Sequence, residues 1–145
     1  MKIVISESQY NRLIEAKEEQ KVLRIPSLKF FNDDWFQLQE FLETKGNPPY
    51  SIGGNLYLRN TPIESLGNLQ SVGGDLDLYN TPIESLGYLQ FVGNRLYMPG
   101  TKIDSLGNLK SVGGDLYLYE TPISEKYSEE EIRQMVNVDE IIYLK

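Results

Sequence analysis

The side chains in this sequence with chemistry to offer are carboxylates, tyrosines and arginines. The 145 residues include no cysteine and no histidine. That excludes disulfides, thiolate zinc sites, iron–sulfur clusters and cysteine nucleophiles. It also removes the usual partner of a catalytic serine. Carboxylate pairs stand at Asp33-Asp34 and Asp75-x-Asp77, and such pairs hydrolyse glycosides when their surroundings split the two pKa values. On an extended strand Asp75 and Asp77 fall on one exposed face, where nothing raises one pKa above the other. Asp75, Asp77 and Asp115 offer oxygens of the kind calcium takes, but calcium-binding β-rolls repeat every nine residues with fixed glycine and aspartate offsets. No Gly-x-Ser-x-Gly elbow or phosphate loop occurs. The expectation is a chain that is not an enzyme and uses no cofactor or metal.

Charge narrows the partners. Fourteen Lys+Arg stand against 21 Asp+Glu, a formal net charge of −7. Phosphate tracking rests on basic residues, so nucleic acid is not expected as a partner. The acidic charge is spread over both ends and the middle, too dilute to imitate a nucleic acid. Ile3-Val4-Ile5 is too short an apolar run for a secretory or membrane-spanning segment. A soluble cytoplasmic protein with no membrane partner is expected.

The elements that must position these residues come from a 20-residue internal repeat. Residues 51–70 read SIGGNLYLRNTPIESLGNLQ and 71–90 read SVGGDLDLYNTPIESLGYLQ. Residues 91–110 read FVGNRLYMPGTKIDSLGNLK, and SVGGDLYLYETPIS runs from Ser111 to Ser124. Periods of this length mark solenoids or propellers, whose units bury their apolar faces on one another. Six positions per unit stay apolar, beginning with Ile52/Val72/Val92/Val112, Leu56/Leu76/Leu96/Leu116 and Leu58/Leu78/Met98/Leu118. Ile63/Ile83/Ile103/Ile123, Leu66/Leu86/Leu106 and Leu69/Leu89/Leu109 complete the set. Leu-x-Leu predicts a short strand with both leucines inward. The glycine pairs before it, such as Gly73-Gly74, predict a tight turn at positive φ. Asn-Thr-Pro after it ends the strand, and Ile-Glu-Ser-Leu-Gly-x-Leu predicts a 3₁₀-like or irregular return arm.

Leu76-x-Leu78-x-x-Thr81-x-Ile83-x-x-Leu86-x-x-Leu89 resembles the leucine-rich-repeat pattern, with Thr where that family often has Asn. The paired glycines and the Asn-x-Pro return are similar to receptor-L-domain repeats. The resemblance covers residues 51–123 and is nearest to short bacterial-type repeats of about 20 residues. Val72 precedes Leu76 by four residues where three is usual, so a coil like a parallel β-helix stays open. The fold it implies is a β-rich repeat solenoid of parallel strands and irregular return arms, with helical caps at both ends.

Those caps are legible too. Asn32-Asp33-Asp34 opens a helix that places Trp35, Phe36, Leu38, Phe41 and Leu42 on one broad side, and Gly46 ends it. Ser128-Glu129-Glu130-Glu131 is a capping box before a helix over Ile132 to Val136, and Glu140–Leu144 predicts a last strand. The chain thus divides into a strand and helix segment over 1–25 that packs, stays mobile or is processed, a helical cap over 26–50, four repeats over 51–124, and a helix and strand cap over 125–145. The opening MKIVISESQYNRLIEA resembles N-termini of tailed-bacteriophage proteins. Leu13-Ile14-Glu15 before Ala16 is similar to the cleavage signal of internal virion proteins, as are Ile5-Ser6-Glu7, Leu38-Gln39-Glu40 and Ile123-Ser124-Glu125.

With the leucines inward, the alternate residues face outward: Asn55, Tyr57, Arg59; Asp75, Asp77, Tyr79; Arg95, Tyr97, Pro99; Asp115, Tyr117, Tyr119. Five of the ten tyrosines lie there, and Tyr and Arg are enriched at binding hot spots. The candidate protein-binding residues are Tyr57, Arg59, Asp75, Asp77, Tyr79, Arg95, Tyr97, Asp115, Tyr117 and Tyr119. A stabilising tyrosine ladder is the other reading of the same residues. The expected function is a non-catalytic module binding an unidentified protein. The phage resemblance implies an inhibitor of a host or defence protein, or alternatively an internal or accessory structural protein of the particle, in host cytoplasm or virion. Pairing into a homodimer through an imperfect cap stays open.

Overall fold

A computed structural model gives the fold, and it describes Ser6 and residues 22–145. The expected N-terminal helix and the trimming site after Glu15 lie outside the described residues. Each repeat contributes two short strands rather than one. The first set runs β1 (Leu23–Ile25), β2 (Tyr50–Ile52), β4 (Leu69–Val72), β6 (Phe91–Val92), β8 (Ser111–Val112) and β10 (Asn137–Val138). The second runs β3 (Leu56–Tyr57), β5 (Leu76–Asp77), β7 (Leu96–Tyr97), β9 (Leu116–Tyr117) and β11 (Ile142–Tyr143). Among the described residues they form a six-stranded sheet, β1-β2-β4-β6-β8-β10, and a five-stranded sheet, β11-β9-β7-β5-β3.

All pairings are parallel, and within the repeat each strand pairs with the one 20 residues on. Leu56 sits opposite Leu76, Leu76 opposite Leu96, and Leu96 opposite Leu116. Parallel register stacks like on like, so the apolar positions of the sequence become columns. Every one of the six apolar columns is buried, with Leu56, Leu76, Leu96 and Leu116 at 0% exposure. Burying such a side chain is worth about 1.5–3 kcal/mol before chain entropy is subtracted. The second sheet was missed in the sequence because a two-residue strand shows no alternation.

The glycine pairs act differently from the expectation. None of them has positive φ; glycines in that region are Gly46, Gly67, Gly87, Gly100 and Gly107. What the pairs allow is close approach between units. A Cβ on Gly73 would lie 2.2 Å from the carbonyl oxygen of Gly53, and one on Gly93 2.1 Å from that of Gly73. The left-handed residues come after the second strand instead, at Asn60, Asn80, Gly100 and Glu120. There Asn and Gly suit the conformation, and Glu120 is the costly member. The threonines that follow bury a hydroxyl safely. Thr81 and Thr101 each donate to the carbonyl three residues back, Leu78 and Met98, at 2.9 Å.

The ends are closed by helices. Asp34 caps α1 (Trp35–Thr44), its carboxylate accepting from the amides of Phe36 and Gln37. Trp35, Leu38 and Leu42 enter the core, whereas Phe36 is 53% exposed, because it projects off the buried stripe. Tyr50 lies beneath, donating to the Leu66 carbonyl at 2.7 Å. Burial pushes its phenol pKa up. In the last repeat Thr121-Pro122 opens α2 (Pro122–Lys126) in place of a return arm, with Thr121 as N-cap. Ser128 and Glu131 form the expected capping box of α3 (Glu129–Met135). Arg133 then reaches the carbonyls of Val138 and Glu140, at 2.9 and 2.6 Å. Among the described residues no helix is long and apolar enough to cross a membrane.

Candidate functional site on the five-stranded sheet

The outward side of the five-stranded sheet gathers all ten candidate residues, in three rows that run across the strands. The first row holds Asn55, Asp75, Arg95 and Asp115, and its side-chain oxygens tie strand to strand. Asn55 Oδ1 accepts from the Asp75 amide at 2.8 Å, and Asp75 Oδ1 accepts from the Arg95 amide at 3.0 Å. Asp115 Oδ1 accepts from the Ile141 amide at 3.0 Å. Asp75 and Asp115 therefore stitch the sheet as well as facing outward. Arginine has no acceptor, so the stitch is interrupted at Arg95.

The middle row is aromatic except at one place. Tyr57, Tyr97 and Tyr117 stand in line, and Asp77 takes the position between the first two. Tyr97 and Tyr117 have ring centroids 4.8 Å apart. Tyr143 on β11 extends the row, stacked on Tyr117 at 4.6 Å with an interplanar angle of 6°. Sequence reasoning missed Tyr143 because it lies outside the repeat. The apolar alternation of Ile142 and Leu144 around it was the available signal. The third row is Arg59, Tyr79, Pro99 and Tyr119. Tyr119 meets the middle row by a hydroxyl–hydroxyl hydrogen bond to Tyr97. That bond and partial burial hold its pKa up, at about 12. Burial and the Asp115 carboxylate also raise Tyr117.

Two ion pairs cross the rows. Arg59 Nε donates to Asp77 Oδ2 at 2.7 Å, and Arg95 Nη2 donates to Asp75 Oδ2 at 3.2 Å. Each carboxylate raises its arginine's pKa, first through the hydrogen bond and then through its charge. Asp77 is buried, with Oδ1 accepting from the Tyr79 amide at 3.0 Å. Arg59 also lies against the rings of Tyr79 and Tyr97, 5.3 and 5.7 Å from their centroids. Because Asp77 is short where its row neighbours are long, a hollow of about 360 Å³ opens above it. Tyr57, Arg59, Asp75, Arg95, Tyr97 and Tyr117 surround it.

These groups supply aromatic area, fixed charge and hydrogen-bonding tips, which suits recognition. The outward side of the six-stranded sheet offers Ser51, Gln70, Ser71 and Gln90 around a half-exposed Phe91. It has neither the aromatic row nor the ion pairs. Comparison of the chain with protein-family models, curated proteins and solved structures found no match. The functional reading rests on this geometry.

Proposed function

We propose that the chain is a non-catalytic protein-binding module whose five-stranded sheet presents its partner-binding face. The repeat is read as a solenoid of leucine-rich type, for which the 20-residue parallel register and the buried leucine columns are the support. One observation carries the binding reading: the outward rows concentrate tyrosines and arginines on one surface, held in place by neighbours before any partner arrives. Tyr117 is stacked, Tyr97 is hydrogen-bonded, and both arginines are paired. Side chains ordered in advance lose less entropy on association. Inhibition of the bound protein is the proposed consequence.

The test is capture of the partner from the native host by the unmodified chain and by Tyr57→Ala, Tyr97→Ala and Tyr117→Ala. Hot-spot tyrosines cost about 2 kcal/mol or more when truncated, so the expected result is at least about a thirty-fold loss of affinity for one or more variants. Gln90→Ala, on the other sheet, should bind as the unmodified chain does. Retention of the partner by all three tyrosine variants, with the fold intact by circular dichroism, would sink the assignment.

A further inference from the structure

We propose that the hollow over Asp77 is a receptor for a guanidinium group on the partner, and that Arg59 occupies it in the free chain. This deepens the binding reading above and rests on it. The middle row makes the hollow: tyrosines flank a single short acid, whose Oδ1 is fixed by the Tyr79 amide at 3.0 Å. Oδ2 is left facing outward and takes Arg59 Nε at 2.7 Å. A carboxylate with tyrosine faces beside it is the environment a planar guanidinium favours, through charge-assisted hydrogen bonds and cation–π contact.

The occupant seen in the structure is the protein's own, and it is loosely held. Arg59 follows β3, the end strand of its sheet, which pairs only with β5. Its side chain is 54% exposed while that of Asp77 is 12% exposed. An ion pair this open contributes little, since long side chains lose entropy and water screens them. The acid is built into the sheet, whereas the base lies over it from the rim. A partner arginine arriving on the same face would replace one guanidinium by another, leaving Asp77 paired throughout. Charge agrees: Asp75, Asp77 and Asp115 outnumber Arg59 and Arg95 on the face, and the chain as a whole carries −7. Lysine would match less well, because its compact ammonium cannot lie flat against the rings.

The probe is N-acetyl-argininamide, with N-acetyl-citrullinamide as its neutral counterpart, followed by NMR at the ring signals of Tyr79 and Tyr97. Arg59→Ala vacates the hollow and should bind the arginine probe about two- to five-fold more tightly than the unmodified chain. The citrulline probe should leave both rings unshifted, and adding Asp77→Asn should abolish the arginine response. If Asp77→Asn unfolds the chain, Tyr97→Leu in the Arg59→Ala background keeps the carboxylate and should weaken binding. No response in folded Arg59→Ala, or equal responses to the two probes, would overturn the proposal. The assay needs no partner, so a positive result here alongside unchanged capture by the tyrosine variants would fail the broader reading alone.

Discussion

At the scale of single residues, the oxygen of an Asn or Asp side chain ties one strand of the face to the next. Asn55 holds the Asp75 amide and Asp75 holds the Arg95 amide. A carboxylate that looks available for a ligand in the sequence is thus partly committed to the backbone. The tyrosine hydroxyls are committed in the same way, and their titration reports it. Tyr119 is raised to about 12, first by its hydrogen bond to Tyr97 and then by burial. A raised phenol keeps its stabilising bond below the unfolded-state pKa of about 10 and loses it as pH climbs through the folded value. Stability should therefore fall between about pH 10 and 12. Tyr97→Phe should move the Tyr119 transition down toward 10, read by ultraviolet difference titration. An unmoved transition would mean that the bond between the two hydroxyls is not its main cause.

At the scale of elements, the column of first glycines sets how closely the units stack. Gly73, Gly93 and Gly113 donate their amides to the carbonyls of Ile52, Val72 and Val92 at 2.8 to 2.9 Å. Their missing Cβ atoms leave room for the carbonyl of the glycine 20 residues back. Gly93→Ala should destabilise the chain by roughly 2–4 kcal/mol in urea unfolding, the range for forced overpacking against backbone. Gly46→Ala, where a Cβ meets nothing within 4 Å but φ is +80°, should cost only about 1 kcal/mol. Equal effects would refute the close-approach argument. The glycines also mark what was legible in the sequence. Leu-x-Leu, the Asp34 cap and the Ser128 capping box were readable because each is a local pattern with a local cause. The contact that requires Gly93 spans two repeats, and so does the first strand of each pair, whose two residues pair only with distant ones. Site residues within the repeat followed from alternation; Tyr143 joins the row through a partner 26 residues away.

At the scale of the whole molecule, identical register makes the units interchangeable. Strands β3, β5, β7 and β9 pair at a constant offset of 20 residues. Deletion of residues 71–90 should bring Leu56 opposite Leu96 and leave a folded, less stable chain, as nearest-neighbour stacking predicts. Circular dichroism and thermal melting would show it, and an unfolded product would mean that the repeats are not equivalent. The same deletion removes Asp77 and the hollow, so it should also abolish the argininamide response. Function at this scale is a matter of which broad side meets the partner. The five-stranded sheet carries tyrosines locked by stacking and ion pairs, while Tyr88 and Phe91, exposed by 60% and 45%, lie outside its rows. The most direct measurement is residue-level footprinting of the captured complex against the free chain. Protection of Tyr57, Tyr97 and Tyr117 with Tyr88 and Phe91 unchanged is the predicted result. Protection of Tyr88 and Phe91 with the three sheet tyrosines still open to labelling would contradict it.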